Sequence, residues 1–224
     1  MQTLYYSLMR NRLAFLLGMA AAGALSAGGI PQTPPAPSSL SSDSHEGMTI
    51  EVEPWIYAGR YKEKFPKKFP LAGGVVAVRV IFRNTTTEGI RVDLPRIRLL
   101  LHIAEDTDQE LQPLSAEDVA DTVLLTQNGK DPTARRNPLP IPIDRPKPSR
   151  DAGWTAFRDT CQNAAVPTGV VAAHGVVEGL LYFDLRGEID LLKTARLYVP
   201  GLVVMGSKQP LSYFDIDLGR NGGS

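Results

Sequence analysis

The sequence predicts a mainly β fold: an antiparallel β-sandwich with a central helical and Pro-rich insertion. Three observations carry this. Short segments alternate apolar and polar residues with a period of two, as strands with one buried face do. Turn residues separate them at the spacing of sandwiches and barrels. The alternation stops between about residues 114 and 165, where two helical patterns flank a proline-rich stretch.

The first candidate strand covers 48–57. The clearest is 75–84, with Val76, Val78, Val80 and Phe82 facing one way and Ala77, Arg79, Ile81 and Arg83 the other. Asn84-Thr85-Thr86-Thr87-Glu88-Gly89 reads as a turn, and alternation resumes at 90–94. Pro95 interrupts it, as proline does at an edge or a bend. Ile97, Leu99, Leu101 and Ile103 then alternate with Arg96, Arg98, Leu100 and His102. Two alternating runs joined by a short polar turn predict an antiparallel hairpin.

Ser115 followed by Glu117 and Asp118 is a helix start, because a hydroxyl caps free amides and acids suit the positive end of the dipole. The segment 126–149 holds Pro132, Pro138, Pro140, Pro142, Pro146 and Pro148. A second helix is expected over 150–165, with Trp154, Phe157, Cys161 and Ala164/Ala165 on one buried face. Strands return at 176–185, 195–199, 202–205 and 211–218.

The N-terminus has the order of a secretion signal. Arg10 and Arg12 precede the uncharged run from Leu13 to Leu25, and small residues follow at Ser26, Ala27, Gly28 and Gly29. Residues 1–27 are therefore read as a signal peptide, with Met9 an alternative start. The competing reading is an uncleaved anchor, since the uncharged stretch 13–30 reaches the lower end of the roughly 17–25 residues that span a bilayer. Lipidation is rejected: Leu25-Ser26-Ala27 is followed by Gly28, not cysteine. Residues 28–47 read as a flexible Pro/Ser-rich linker, 48–220 as the β domain and 221–224 as a disordered tail. The expected location is exported, periplasmic or secreted.

The leader, the strand 75–84 ending in Arg83-Asn84, and the run Val177-Glu178-Gly179-Leu180-Leu181-Tyr182-Phe183-Asp184-Leu185 together resemble uncharacterised exported bacterial proteins with an immunoglobulin-like β-sandwich. The resemblance implies that fold, and a fold does not imply a function. Antibody-type domains carry paired cysteines, and this chain has one, Cys161.

Lys and Arg total 24 and Asp and Glu 24; with Arg10 and Arg12 in the leader, the remainder carries a net charge of −2. That argues against general nucleic-acid binding, which needs a basic field. Apolar residues at 43% suffice for a core. With one cysteine the exported domain has no internal disulfide and must rest on that core.

No catalytic, cofactor or metal signature is encoded locally. Asp106, Asp108, Glu110 and Glu117 imitate part of a calcium loop, but Leu111 stands where glycine is needed and Pro113 where the loop must wrap. They are expected to form a solvated acidic turn. His45, His102 and His174 lie at no metal-ligand spacing. Neither a Gly-x-Ser-x-Gly elbow nor a phosphate-binding loop occurs.

The basic, proline-rich excursion is the candidate partner-binding surface, with Arg135, Arg136, Arg145, Lys147 and Arg150 as contacts for another envelope protein or an acidic polymer. The competing reading, favoured by Leu139, Ile141 and Ile143, which a strap would bury, is an extended strap packed over the domain that closes one edge. The expected function is a non-enzymatic exported binding or scaffold module. The alternative is a hydrolase-like enzyme assembled around His102 or His174, recognisable by a histidine bonded to a carboxylate and a hydroxyl in a concave pocket. A third reading, a subunit that adds a strand to a partner's sheet, predicts an uncovered edge strand.

Overall fold

The computed structural model describes residues 40–104, 107–127 and 150–219. The expected signal peptide, residues 28–39 of the linker and the tail 221–224 lie outside them, as does most of the proline-rich excursion.

The fold is mainly β, in three antiparallel sheets. The strands are β1 (Ser41–His45), β2 (Met48–Trp55), β3 (Val75–Asn84), β4 (Ile90–Arg91), β5 (Arg98–Ala104), β6 (Thr107–Leu111), β7 (Val170–Val171), β8 (Val176–Asp184), β9 (Arg196–Val199), β10 (Val203–Val204) and β11 (Phe214–Asp217). The helices are α1 (Ala58–Tyr61), α2 (Ala116–Gln127) and α3 (Ala152–Ala164). One sheet has the order β1-β2-β3-β8, a second β11-β9-β5-β6, and a small third β10-β4-β7.

The two larger sheets share one core, because each turns its apolar phase inward. Met48, Ile50 and Val52 of β2, Val76 to Phe82 in alternation on β3, and Leu181 and Phe183 of β8 meet Leu99, Leu101, Leu197, Val199, Phe214 and Ile216. Fully burying one such side chain stabilises by about 1.5–3 kcal/mol.

The first sheet has a second use for its other face. At one end α1, α2, α3 and a 3-10 turn at Pro70–Gly73 cover Val75, Ala77, Leu180 and Tyr182 with Tyr61, Phe65, Val119, Val123, Trp154, Phe157 and Cys161. At the other end the same face carries charged residues in ion pairs. The expected burial of Trp154, Phe157, Cys161 and Ala164 along one helix face is observed.

Both larger helices begin at side-chain caps. The Ser115 hydroxyl accepts from the Asp118 amide at 3.1 Å while the Asp118 carboxylate accepts from the Ser115 amide at 3.3 Å. Asp151 accepts from the Trp154 amide at 2.8 Å.

Three expectations need correction. First, the linker does not extend to residue 47, and His45 is not in a tether: β1 pairs with β2 from Ser41 onward. The segment is polar, so period-two hydrophobicity could not reveal it. Glu46 and Gly47, both at positive φ (50° and 76°), close a two-residue hairpin turn. His45 stacks on Phe214 with centroids 3.8 Å apart, and Asp43 accepts from the Asp215 amide, so side chains join β1 to β11.

Second, the runs on either side of the 84–89 turn do not form a hairpin. β3 pairs with β2 and β8, whereas β4 pairs with β7 and β10 and β5 enters the opposite sheet. Asn84 redirects the chain. It is buried, and its amide donates to the carbonyls of Glu88 and Ala172 at 2.7 and 3.0 Å while its carbonyl accepts from the Thr86 amide and hydroxyl.

Third, Asp108 and Glu110 do not lie in a turn. They belong to β6, paired with β5 through His102↔Asp108 and Leu100↔Glu110. Asp106 lies outside the described residues.

Candidate functional site

Charged side chains in the described residues fall into two groups, those satisfied by each other and those that are not. One satisfied set sits on the outer face of the first sheet. Glu53 is buried, and Arg60 reaches it with two hydrogen bonds of 3.0 Å. Arg79 donates to Glu53 at 3.3 Å and to Glu178 at 2.9 Å. Arg83 pairs with Glu51 at 2.9 Å. Cross-strand register explains the ladder: Glu53 faces Arg79, and Thr49, adjacent to Glu51 on the same face, opposes Arg83. The hydrogen bond from Arg79 holds the Glu178 carboxyl below its ordinary range, and Glu178 in turn holds Arg79 more firmly protonated. Such mutually neutralised groups stabilise a sheet face and leave little charge for a ligand.

Of the sequence-predicted contacts, Arg150 alone is described. Its guanidinium lies 2.5 Å from Glu117 and 3.7 Å from Asp121, and 4.8 Å from the centroid of the Trp154 ring. It therefore ties the start of α3 to α2. Arg135, Arg136, Arg145 and Lys147 lie outside the described residues.

The histidines are not brought together. His102 Nδ1 lies 2.9 Å from Asp108 Oδ1 in the β5–β6 hairpin, with side chains 52% and 78% exposed. The Thr194 hydroxyl donates to the backbone carbonyl of His102 and not to its ring. His174 sits in a turn at φ 52°, and its amide donates to Thr86. A histidine–carboxylate pair thus exists on an open surface, and no hydroxyl of the described side chains is bonded to the imidazole.

One set of charges without partners lies between β4 and β5. A shallow hollow of about 390 Å³ is lined by Arg91, Val92, Asp93, Leu94, Pro95 and Gly169. Along its lining the Val92 amide donates to Gly169 at 2.6 Å, and Pro95 is the second residue of a 3-10 turn over Leu94–Arg96. Gly201, at φ 73°, lets Asp93 and Arg96 approach its Cα; a Cβ there would meet both at 3.3–3.4 Å. Among the described residues, Arg91, Asp93 and Arg96 make no side-chain hydrogen bond or ion pair. Arg98 differs, since its guanidinium donates to the carbonyls of Pro95 and Ile97. Sequence reading registered Pro95 as an interruption and missed the hollow. Charge beside a proline is visible in sequence; whether that charge is already spent is not.

Comparison with known proteins adds no identity. No protein-family model matches the chain, and no curated protein matches it. Among solved structures, a functionally unknown protein from Listeria monocytogenes EGD-e is 16% identical, covers 80% of this chain and 82% of its own, and superposes with a TM-score of 0.35. Among the described residues no helix is long and apolar enough to cross a membrane.

Proposed function

We propose that this chain is an exported, non-enzymatic binding or scaffold module of the cell envelope, built on a sandwich of the immunoglobulin-like class. What supports the class is layering: two four-stranded antiparallel sheets with a common core. The likeness is in layers and not in strand order, because β1, β2 and β3 are consecutive neighbours in one sheet. What supports export is the leader read from Arg10 to Gly29.

One observation carries the binding role. Arg91 and Asp93 line a hollow with unpaired charge, and Arg96 ends the 3-10 turn beside it, whereas the charges on the first sheet satisfy one another. Guanidinium groups without a carboxylate are ready to take one from a partner, in bidentate geometry. The partner is an envelope protein or an acidic polymer. The hollow, in place of the proline-rich excursion alone, is where it would contact the fold.

The test is cross-linked capture from the native envelope with the tagged full chain, alongside Arg91→Ser/Arg96→Ser. A component held by the parent and lost by the double variant, with an unchanged thermal midpoint, supports the reading. Retention of that component by the double variant overturns it. So does ester hydrolysis by the purified chain that disappears in His102→Ala, which would favour the hydrolase. The N-terminus of the mature protein, read by mass spectrometry, tests export: persistence of residues 13–25 would refute cleavage.

A further inference from the structure

The segment after β2 contains a second charged surface, made of residues other than those around the hollow. Its sequence is Tyr61-Lys62-Glu63-Lys64-Phe65-Pro66-Lys67-Lys68-Phe69. The aromatics recur every fourth residue and turn inward. Tyr61 and Phe65 are buried, and Phe69 packs on the same cluster. Ring centroids lie 5.9 Å apart for Tyr61–Phe65, 5.6 Å for Tyr61–Phe69 and 6.4 Å for Phe65–Phe157. The Phe65 amide donates to the Tyr61 carbonyl at 2.7 Å, which folds the segment back on itself. With the rings fixed inside, Lys62, Lys64, Lys67 and Lys68 are all exposed.

None of these four lysines has a carboxylate at ion-pair distance among the described residues. Lys64 reaches Glu178 only as a longer-range field, and Glu178 is already bonded to Arg79. The nearest arginine, Arg60, is spent on Glu53. Tyr57, directly before α1, is 75% exposed. The segment thus presents four ammonium groups and one carboxylate (Glu63) on a packed aromatic base, and an exposed amphipathic ring precedes it in the chain.

We propose that this face binds an anionic phospholipid surface peripherally. The choice of partner follows from the groups present. Ammonium heads on flexible stems are point charges that follow an array of phosphates without fixed geometry, unlike the forked guanidinium that selects one acid. A juxtaposed lysine cluster gains from the negative surface potential of such membranes, and an exposed tyrosine suits the headgroup layer. The aromatic base keeps the cluster presented, so little order is lost on binding.

The experiment is co-sedimentation of the full chain with phosphatidylcholine vesicles, with and without phosphatidylglycerol. The parent should bind the mixed vesicles, lose binding at roughly 0.5 M salt as screening shortens, and show little affinity for pure phosphatidylcholine. Each lysine changed to serine should weaken binding about fivefold, and Lys62→Ser/Lys64→Ser/Lys67→Ser/Lys68→Ser should abolish it. Should the quadruple variant melt early, Lys67→Ser/Lys68→Ser serves instead. Equal binding by parent and quadruple variant would assign attachment to another segment, such as the apolar run 13–30, and overturn the proposal. Binding to soluble polyphosphate without binding to mixed vesicles would overturn it in favour of an acidic polymer.

Discussion

The hydroxyl of Tyr61 accepts a hydrogen bond from the backbone amide of Ala77 at 3.0 Å and donates one to the carbonyl of Trp55 at 2.8 Å. A side chain from α1 is thereby inserted at the end of the β2–β3 ladder, where Trp55 and Ala77 are register partners. Tyr61→Phe would strand a buried amide and a buried carbonyl. We expect a loss of about 2 kcal/mol, the usual cost of unsatisfied buried groups, read from urea midpoints; a loss below about 0.5 kcal/mol would refute the role. Burial also raises the ionisation of Tyr61 and Tyr182 above the ordinary tyrosine range. The unfolded chain deprotonates near pH ~10 and the folded one does not. This stabilisation is therefore complete below that pH and falls as pH rises beyond it. Phenolate absorbance of two tyrosines should appear together with unfolding.

Among the described residues Glu53 is the buried carboxylate held between two guanidinium groups. Glu53→Gln keeps its shape but leaves Arg60 and Arg79 without that charge. Breaking a buried pair from one side typically costs about 3–5 kcal/mol; both arginines retain some solvent, so we expect about 2 kcal/mol. Glu178→Gln should cost less than ~1 kcal/mol, because Glu178 is largely exposed. Its carboxyl is depressed by Arg79, so its contribution is present above the ordinary carboxylate range and disappears as pH falls through the lowered value. Stability curves of parent and Glu178→Gln should converge in acid. A constant gap down to low pH would contradict the ion-pair account.

The parts of the fold that obey a period were legible in the sequence. Val76, Val78, Val80 and Phe82 face the core as their alternation requires, and Trp154, Phe157 and Cys161 share a helix face at the expected spacing. What escaped is what depends on partners distant in sequence. β1 is polar and exists through β2 and Phe214. The 84–89 turn looked like a hairpin because nothing local says that Asn84 will bind Ala172. The hollow escaped for the same reason: Arg91 and Arg79 are alike in sequence, and only the fold gives one a carboxylate.

Cys161 lies in the helical layer, fully buried, and burial pushes its thiol up to about 12. At pH 8 almost none of it is the reactive thiolate. A thiol reagent should modify the native protein only as fast as it opens, and the rate should rise with urea in step with unfolding. Rapid stoichiometric reaction in the folded state would remove Cys161 from the core.

Gly179 marks where the chain crosses the edge of β8. Ala165 forms a parallel bridge with Leu180, and the Val166 amide donates to the Leu180 carbonyl at 3.2 Å. Val166 then enters the core shared by the two large sheets, although α3, which precedes it, packs on the opposite face. The passage is possible because residue 179 has no side chain. A Cβ there would overlap the backbone of Val166 and stand 2.6 Å from the carbonyl carbon of Ala165. Backbone atoms fixed by a helix end on one side and a strand on the other cannot retreat as a flexible side chain would. Gly179→Ala should therefore cost more than the ~1–3 kcal/mol of ordinary overpacking. Hydrogen exchange should show early opening at Val166 and Leu180 before the β2–β3 ladder responds. Gly187→Ala is a useful contrast: a Cβ there meets nothing within 4 Å, but its φ of 85° imposes backbone strain. That strain costs about 1–2 kcal/mol and should leave exchange at Val166 unchanged. If Gly179→Ala is no worse than Gly187→Ala, the crossing is looser than the geometry implies, and α3 is not locked to the sheet through this point.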